Sequence, residues 1–294
     1  MQSSRTAEYM AFFRALETVR PAGQRLIFDP FAALFLQTAL AQAIRLAKIP
    51  GLRGLVERYA DWRLPGARTS AIARTHLIDA AWNRAVSEGI PQIVILGAGY
   101  DCRAYRLGVA GPTVVFEVDH PATHAIKRER LLQVAPAIPA NLRFAAIDFN
   151  RESLPDVLAA SGFERQQRTL FLWEGVTNYL TEPAVDAVLH YAGTCERGSR
   201  MVFTYVHRGV LDGSVEFFGG EKVRRDVAAL GEPWTFGFDP AELRAYLRQR
   251  NLELDYDASA REYRRECFGA RSASMKGYGF YHLAMAHVAE GNPT

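Results

Sequence analysis

The sequence predicts an α/β fold, a mostly parallel sheet with helices on both faces. Two observations carry this prediction. From residue 91 onward, short apolar runs rich in β-branched residues alternate with helix-length amphipathic segments, the pattern of strands joined by helical crossovers. The 294 residues, 49% of them hydrophobic, also suffice for one large core without low-complexity sequence. We therefore expect a single domain over residues 1–294.

Residues 1–90 are predicted to form a helical cap. The apolar residues follow helical periodicity from Thr6 to Ser87, with breaks at Pro21, Pro50 and Pro65. No β-branched run of strand length interrupts this section. The cap therefore precedes the sheet in the chain.

Seven segments are predicted strands, and the first five belong to a core over residues 91–205. Because each of these five is followed by enough chain for a helix, they are expected to run parallel. The last two are expected to close the sheet as an antiparallel hairpin. In chain order the segments are QIVIL, TVVFEVD, NLRFAAID, TLFLWE, RMVFTYV, NLELDYD and GFYHLAMAHV.

The alternation lapses over residues 206–238, which are predicted to be a lid insertion after the fifth strand. Its aromatic residues are candidate walls for a substrate pocket, namely Phe217, Phe218, Trp234 and Phe236. Asp239 then has the features of a helix N-cap, with Pro240 at the first helical position. Residues 239–294 are expected to complete the sheet.

Composition excludes several classes of function. The net charge of +3 is small and there is no basic stripe interleaved with aromatics, so no nucleic-acid partner is expected. Neither a signal peptide nor a run of ~20 apolar residues is present, so no membrane partner is expected.

The three cysteines show neither disulfide nor CxxC spacing. We expect a cytoplasmic protein with a small-molecule substrate. Its oligomeric state cannot be predicted.

The segment IVILGAGYDCRAYRL predicts a ligand site at the end of the first strand. Gly97 and Gly99 form a glycine turn that lets a ligand approach the backbone. Cys102 stands where a dinucleotide-binding turn has its third glycine, which disfavours a NAD(P)-binding oxidoreductase.

Acidic residues follow the next three strands. Glu117 and Asp119 end the second, where a carboxylate accepts hydrogen bonds from ribose hydroxyls. Asp148 and Phe149 end the third and Glu174 the fourth. Since ligands of open α/β sheets bind at the carboxyl ends of strands, these residues are predicted to share one site.

These motifs resemble the leucine carboxyl methyltransferase family, which includes polyketide O-methyltransferases. The resemblance rests on LGAGYDCRAYRL, FEVDHP, IDF and LFLWEGVTNYL, with ARTHLID and FDPFA upstream. It implies a Rossmann-like, doubly wound sheet of the class I methyltransferases and S-adenosyl-L-methionine as the cofactor. The acid-rich site agrees, since this cofactor carries a sulfonium and an ammonium but no phosphate.

The resemblance also implies a role for each matching residue. Arg74 would pair with the carboxylate of the cofactor's methionine part, and Glu174 would lie beside the same end. Gly97 and Gly99 would let the protein backbone approach the amino-acid part of the cofactor, and Asp119 would hold the ribose. The remaining matches are Asp148 and Phe149 at the adenine and Tyr179 on the acceptor side.

The predicted reaction is methylation of a carboxylate on a small molecule, for example in secondary metabolism. A carboxylate is ionised at neutral pH and needs no general base. Methylation of a phenolic hydroxyl remains an alternative, with His120, His124 or His207 as base. Methylation of a protein C-terminus and a regulatory protein without catalysis are further alternatives. The spacing of His120 and His124 fits two metal ligands, but no third is nearby, so no metal is expected.

Overall fold

The computed structural model describes residues 5–109, 111–134, 138–149 and 151–289. Four helices precede the sheet, α1 to α4, at Arg5–Thr18, Thr38–Ala47, Arg53–Arg63 and Ala67–Ser87. The strands β1 to β7 span Gln92–Leu96, Val114–Asp119, Leu142–Ala146, Thr169–Trp173, Arg200–Val206, Leu252–Ser259 and Tyr281–Val288. Helices α5 to α12 span Arg103–Arg106, Pro121–Leu132, Leu154–Ala160, Glu182–Gly193, Gly209–Asp212, Gly220–Ala229, Pro240–Arg248 and Ala260–Phe268.

The seven strands form one sheet in the order β3-β2-β1-β4-β5-β7-β6. β1 to β5 are parallel, and β7 is antiparallel to both of its neighbours. The predicted doubly wound, mostly parallel seven-stranded sheet is confirmed. β6 and β7 pair antiparallel as expected, but α12 and a 3₁₀ helix separate them in the chain, so they are not a simple hairpin. Among the described residues, none of the helices is both long and apolar enough to span a membrane.

The central strands are mostly apolar on both sides because helices cover both faces of the sheet. In β1, Val94 and Leu96 pack into one hydrophobic cluster, whereas Ile93 and Ile95 pack into a second cluster on the other face. A strand buried on both sides cannot alternate apolar and polar residues. This is why the last four residues of QIVIL form a continuous apolar run.

Local sequence sets the helix ends. The Asp239 side chain accepts a hydrogen bond from the Ala241 amide at 2.9 Å and caps α11, as predicted. The sequence interpretation missed α12, although its start carries a capping box. Ser259 is the N-cap, and the Glu262 carboxylate accepts from the Ser259 amide at 2.8 Å.

The direction of β7 determines which of its residues reaches the functional edge of the sheet. In the antiparallel pairing, Tyr281 at the start of β7 lies opposite Val206 at the end of β5. The first residue of β7 therefore lies at the edge formed by the carboxyl ends of the parallel strands.

Candidate active site

A cavity of about 840 Å³ opens over the carboxyl ends of β1, β2 and β4. Its walls combine the sheet edge with α1, α4 and the 206–238 insertion. Among the residues predicted for the site, the cavity is lined by Arg74, Gly97, Gly99, Asp119, Phe149, Glu174 and Tyr179.

The glycine turn after β1 requires glycine for steric reasons. Gly97 has φ +65° and Gly99 has φ +43°, in the left-handed region that side chains disfavour. A Cβ on Gly97 would also clash with the side chain of Val176. The turn therefore exposes its backbone to the cavity.

Asp119 closes this turn from the neighbouring strand. One carboxylate oxygen accepts from the Gly99 amide and the other from the His120 amide, the latter at 2.6 Å. Burial raises the pKa of Asp119, although both amides oppose the shift. Because a carboxylate has about four acceptor positions, Asp119 keeps capacity for ligand hydroxyls.

Glu117, two residues earlier on β2, does not reach the cavity. Its carboxylate is fully buried and lies 2.7 Å from the Lys127 ammonium on α6. Of the two acids at the end of β2, Asp119 lines the cavity and Glu117 ties the strand to a helix.

Glu174 is held between two arginines. Its Oε1 lies 2.8 Å from Arg74 Nε, and its Oε2 lies 3.0 Å from Arg103 Nη1. Burial favours a higher pKa for Glu174, but Arg103 and Arg74 outweigh burial and lower it to about 2. The carboxylate is therefore ionised at any physiological pH.

The sequence interpretation missed Arg103 and Asp101, which also line the cavity. Arg103 pairs with Asp101 and, at 2.8 Å, with Asp79 of α4. The signal was available in the motif YDCR, where an acid and an arginine directly follow the glycine turn. Asp79 likewise stands in ARTHLID, five residues after Arg74.

Phe149 and Asp148 differ in their placement. Phe149 lines the cavity beyond β3, whereas Asp148 is not among the lining residues. Asp148 is half-buried, and its Oδ2 lies 3.6 Å from Arg151 Nε. Only the aromatic of this predicted pair faces the cavity.

The predicted bases His120 and His207 also lie outside the described cavity lining. His120 is the N-cap of α6, and its Nδ1 accepts from the Ala122 amide at 3.2 Å. His207 Nδ1 accepts from the Gly209 amide at 2.9 Å, and burial lowers the pKa of His207. In both rings one nitrogen is engaged by backbone.

His124 is buried against Phe144, and burial lowers the pKa of His124 to about 4. In the described part of the chain, no three His, Cys, Asp or Glu side chains are grouped so that they could hold a metal ion.

The prediction of aromatic walls from the insertion was wrong. Trp234 and Phe217 belong to a hydrophobic cluster around Phe280, and Phe236 packs into the main core. Phe218 is 54% exposed. These rings pack under a long loop instead. The insertion lines the cavity with aliphatic residues, Val223, Val227, Leu230 and Pro233, and with polar ones, Asp226, Glu232 and Thr235.

Tyr179 lies in a 3₁₀ turn, Thr177–Tyr179, and faces the cavity between the sheet and the insertion. Burial raises its pKa, so the hydroxyl is neutral. It is therefore placed to donate a hydrogen bond to a molecule in the cavity.

The leucine carboxyl methyltransferase family profile matches residues 7–192, more than half of the sequence. The chain belongs to the leucine carboxyl methyltransferase family. It is thus a methyltransferase, and the site described here lies largely within the matched residues.

Individual relatives agree with the family assignment. A Mycobacteroides abscessus protein named as an S-adenosyl-L-methionine-dependent methyltransferase is 36% identical over 230 residues, covering 75% of this chain and 70% of its own. A Frankia alni protein named in the same way is 34% identical over 228 residues, covering 76% and 75%. The crystal structure of a Thermobifida fusca protein assigned as a methyltransferase shares the fold, with TM-score 0.57, 18% identity and coverage of 93% and 97%.

Proposed function

We propose that this protein transfers a methyl group to a carboxylate of a small molecule. That it is a methyltransferase using S-adenosyl-L-methionine follows from its family and relatives. The finer assignment of the acceptor rests on the lining of the cavity, in which the described residues include no histidine.

The residues of the cavity fit this cofactor. Arg74 and Glu174 present a cation and an anion side by side, which suits the carboxylate and ammonium of an amino acid. The exposed backbone of the glycine turn lies between them and Asp119, whose carboxylate suits ribose hydroxyls. Phe149 offers a ring for an adenine. We assign the cofactor to these residues.

When bound, the cofactor supplies a methyl carbon whose bond to sulfur breaks, the electron pair going to sulfur, as an acceptor oxygen bonds to it. The protein's task is to hold the acceptor oxygen in line and to exclude water. An ionised carboxylate releases no proton in this step, so no base is required. A phenol would require one.

In both His120 and His207, Nδ1 already accepts a hydrogen bond from a backbone amide. This supports a carboxylate over a phenol as the acceptor. The aliphatic residues that the insertion contributes to the cavity, Val223, Val227, Leu230 and Pro233, support a small molecule with an apolar part. Tyr179 remains the residue we propose to contact the acceptor, through its neutral hydroxyl.

The test is the pH dependence of kcat with saturating cofactor and decanoic acid as acceptor. We expect kcat to change less than about two-fold between about pH 6.5 and 9, in the wild type and in His120→Asn and His207→Asn. A rising limb near pH 6–7 that disappears in either variant would show that a histidine acts as a base in the reaction and would contradict the proposal.

A further inference from the structure

Tyr281 is the first residue of β7 and lines the cavity, although the family profile ends far before it. It reaches the site because β7 runs antiparallel and places its start beside the end of β5. No motif marks this tyrosine in the sequence.

The ring of Tyr281 is fixed by its neighbours. It packs edge-on against Trp234, with ring centroids 5.6 Å apart at 84°, and lies 5.2 Å from Phe280. Within the described residues its hydroxyl has no hydrogen-bond partner, whereas nearby Tyr263 is bonded to Ser70 Oγ at 2.6 Å. The hydroxyl thus has no protein acceptor among the described residues and can donate to a molecule in the cavity.

The surroundings of this hydroxyl keep it neutral, so it can act as a hydrogen-bond donor. Burial raises the pKa of Tyr281 far above its ordinary value, with Tyr179 adding to the rise and Arg74 opposing it. Arg74 and Tyr281 therefore face the same part of the cavity. The groups that act on the hydroxyl include one cation and three further tyrosines, Tyr179, Tyr263 and Tyr278.

We propose that the Tyr281 hydroxyl donates a hydrogen bond to the carboxylate of the acceptor, and that this subsite selects carboxylates attached to an apolar body. This inference rests on the carboxylate methylation proposed above and adds a residue and a substrate class to it.

A phenol hydroxyl suits this task better than a guanidinium. A bidentate arginine would engage both oxygens of the acceptor and reduce their availability for attack. A single O–H holds one oxygen and leaves the other free. Among the arginines that line the cavity, Arg14, Arg103 and Arg106 have carboxylate partners, Arg74 is assigned to the cofactor, and Arg63 is exposed.

The preference for an apolar body follows from apolar residues elsewhere in the lining of the same cavity. The insertion contributes Val227 and Leu230, and the helical cap contributes Met10 and Ala71. Burial of an alkyl or aryl group against these side chains favours binding by about 25 cal/mol per Å² of buried apolar area. A small polar acid gains little from such walls.

The test is calorimetric titration of decanoate and its neutral methyl ester into protein saturated with S-adenosylhomocysteine. We expect wild type to prefer decanoate, and Tyr281→Phe to lose ~10-fold affinity for decanoate with no change for the ester. Turnover with decanoic acid should show the same loss mainly as a higher KM. Tyr256→Phe, a surface tyrosine bonded to Glu266 at 2.9 Å, is the matched control and should behave as wild type.

Tyr281→Phe keeps the ring, so its melting temperature and affinity for S-adenosylhomocysteine should equal those of wild type. Unchanged decanoate affinity in this variant, or no preference of wild type for decanoate over the ester, overturns the inference. These binding results do not depend on turnover. If the methylated product is an ether, the proposed function fails instead, whatever Tyr281 binds.

Discussion

Arg74 and Glu174 form an ion pair with 2.8 Å between Nε and Oε1, although a hundred residues separate them in the chain. One comes from helix α4 of the cap, and the other follows β4 of the sheet. The pair joins the cap to the sheet at the cavity. The two complementary charges of the site are therefore supplied by two different parts of the fold.

The first prediction concerns Arg74. Arg74→Ala should weaken S-adenosylhomocysteine binding by about 1–3 kcal/mol, because the ligand's carboxylate loses a two-pronged, charged donor. Arg74→Lys should recover only part of this loss. Arg84→Ala, at an exposed position of the same helix, is the control. If calorimetry gives wild-type affinity for both Arg74 variants, this arginine only supports the fold.

The second prediction concerns Asp119. Asp119→Ala should also weaken S-adenosylhomocysteine binding by about 1–3 kcal/mol, since ribose hydroxyls lose a charged acceptor. Asp156→Ala on the exposed side of α7 should have no effect. Equal affinities of the Asp119 variant and the control, measured by calorimetry, would remove Asp119 from the site.

The third prediction concerns the buried pair of Glu117 and Lys127. Lys127→Met should lower the free energy of unfolding by about 3–5 kcal/mol, because it leaves a buried carboxylate without its partner. The double variant with Glu117→Leu should regain much of this. As the control, Arg200→Met breaks an exposed pair with Glu88 and should cost less than about 1 kcal/mol. Urea unfolding measures the free energy of unfolding of all three variants. Equal losses of this free energy in Lys127→Met and Arg200→Met would contradict the account.

The fourth prediction concerns stability in acid. The pKa of Glu174 is about 2 in the folded protein and 4.5 without perturbation, so the unfolded chain binds its proton more readily. The resulting stabilisation is present above pH 4.5 and is lost as the pH falls toward 2. Glu174→Gln should therefore be less stable than wild type at pH 7, with the difference narrowing as the pH falls through this range. A difference independent of pH in urea unfolding would show that Glu174 does not titrate as described.

Sequence patterns predicted what depends on local rules. Parallel strands deliver their carboxyl ends to one edge, so Gly97, Asp119 and Glu174 were placed at the cavity from their positions alone. This rule did not predict Tyr281, because β7 is antiparallel to β5 and its first residue, not its last, lies at that edge. The hydrogen bonds of a side chain depend on its rotamer and its neighbours, which the spacing of residues in the sequence does not encode. One example is Nδ1 of His120, which accepts from an amide of its own helix.

The insertion shows the same limit. Its aromatic residues are equally able to line a pocket or to pack under a loop, and periodicity does not separate these outcomes. In the structure Trp234 packs on Phe280, and Val227 lines the cavity. Whether residues 206–238 act as a lid remains a prediction.

The central claim, methylation of a carboxylate, is tested most directly by the alkali stability of the product. The protein is incubated with methyl-labelled S-adenosyl-L-methionine and either decanoic acid or 4-octylphenol, and the extracted product is treated with mild alkali. We expect label to enter the decanoic acid and to be released as methanol, since a methyl ester hydrolyses under these conditions. Transfer to the phenol alone, in a product that resists alkali, would contradict the account.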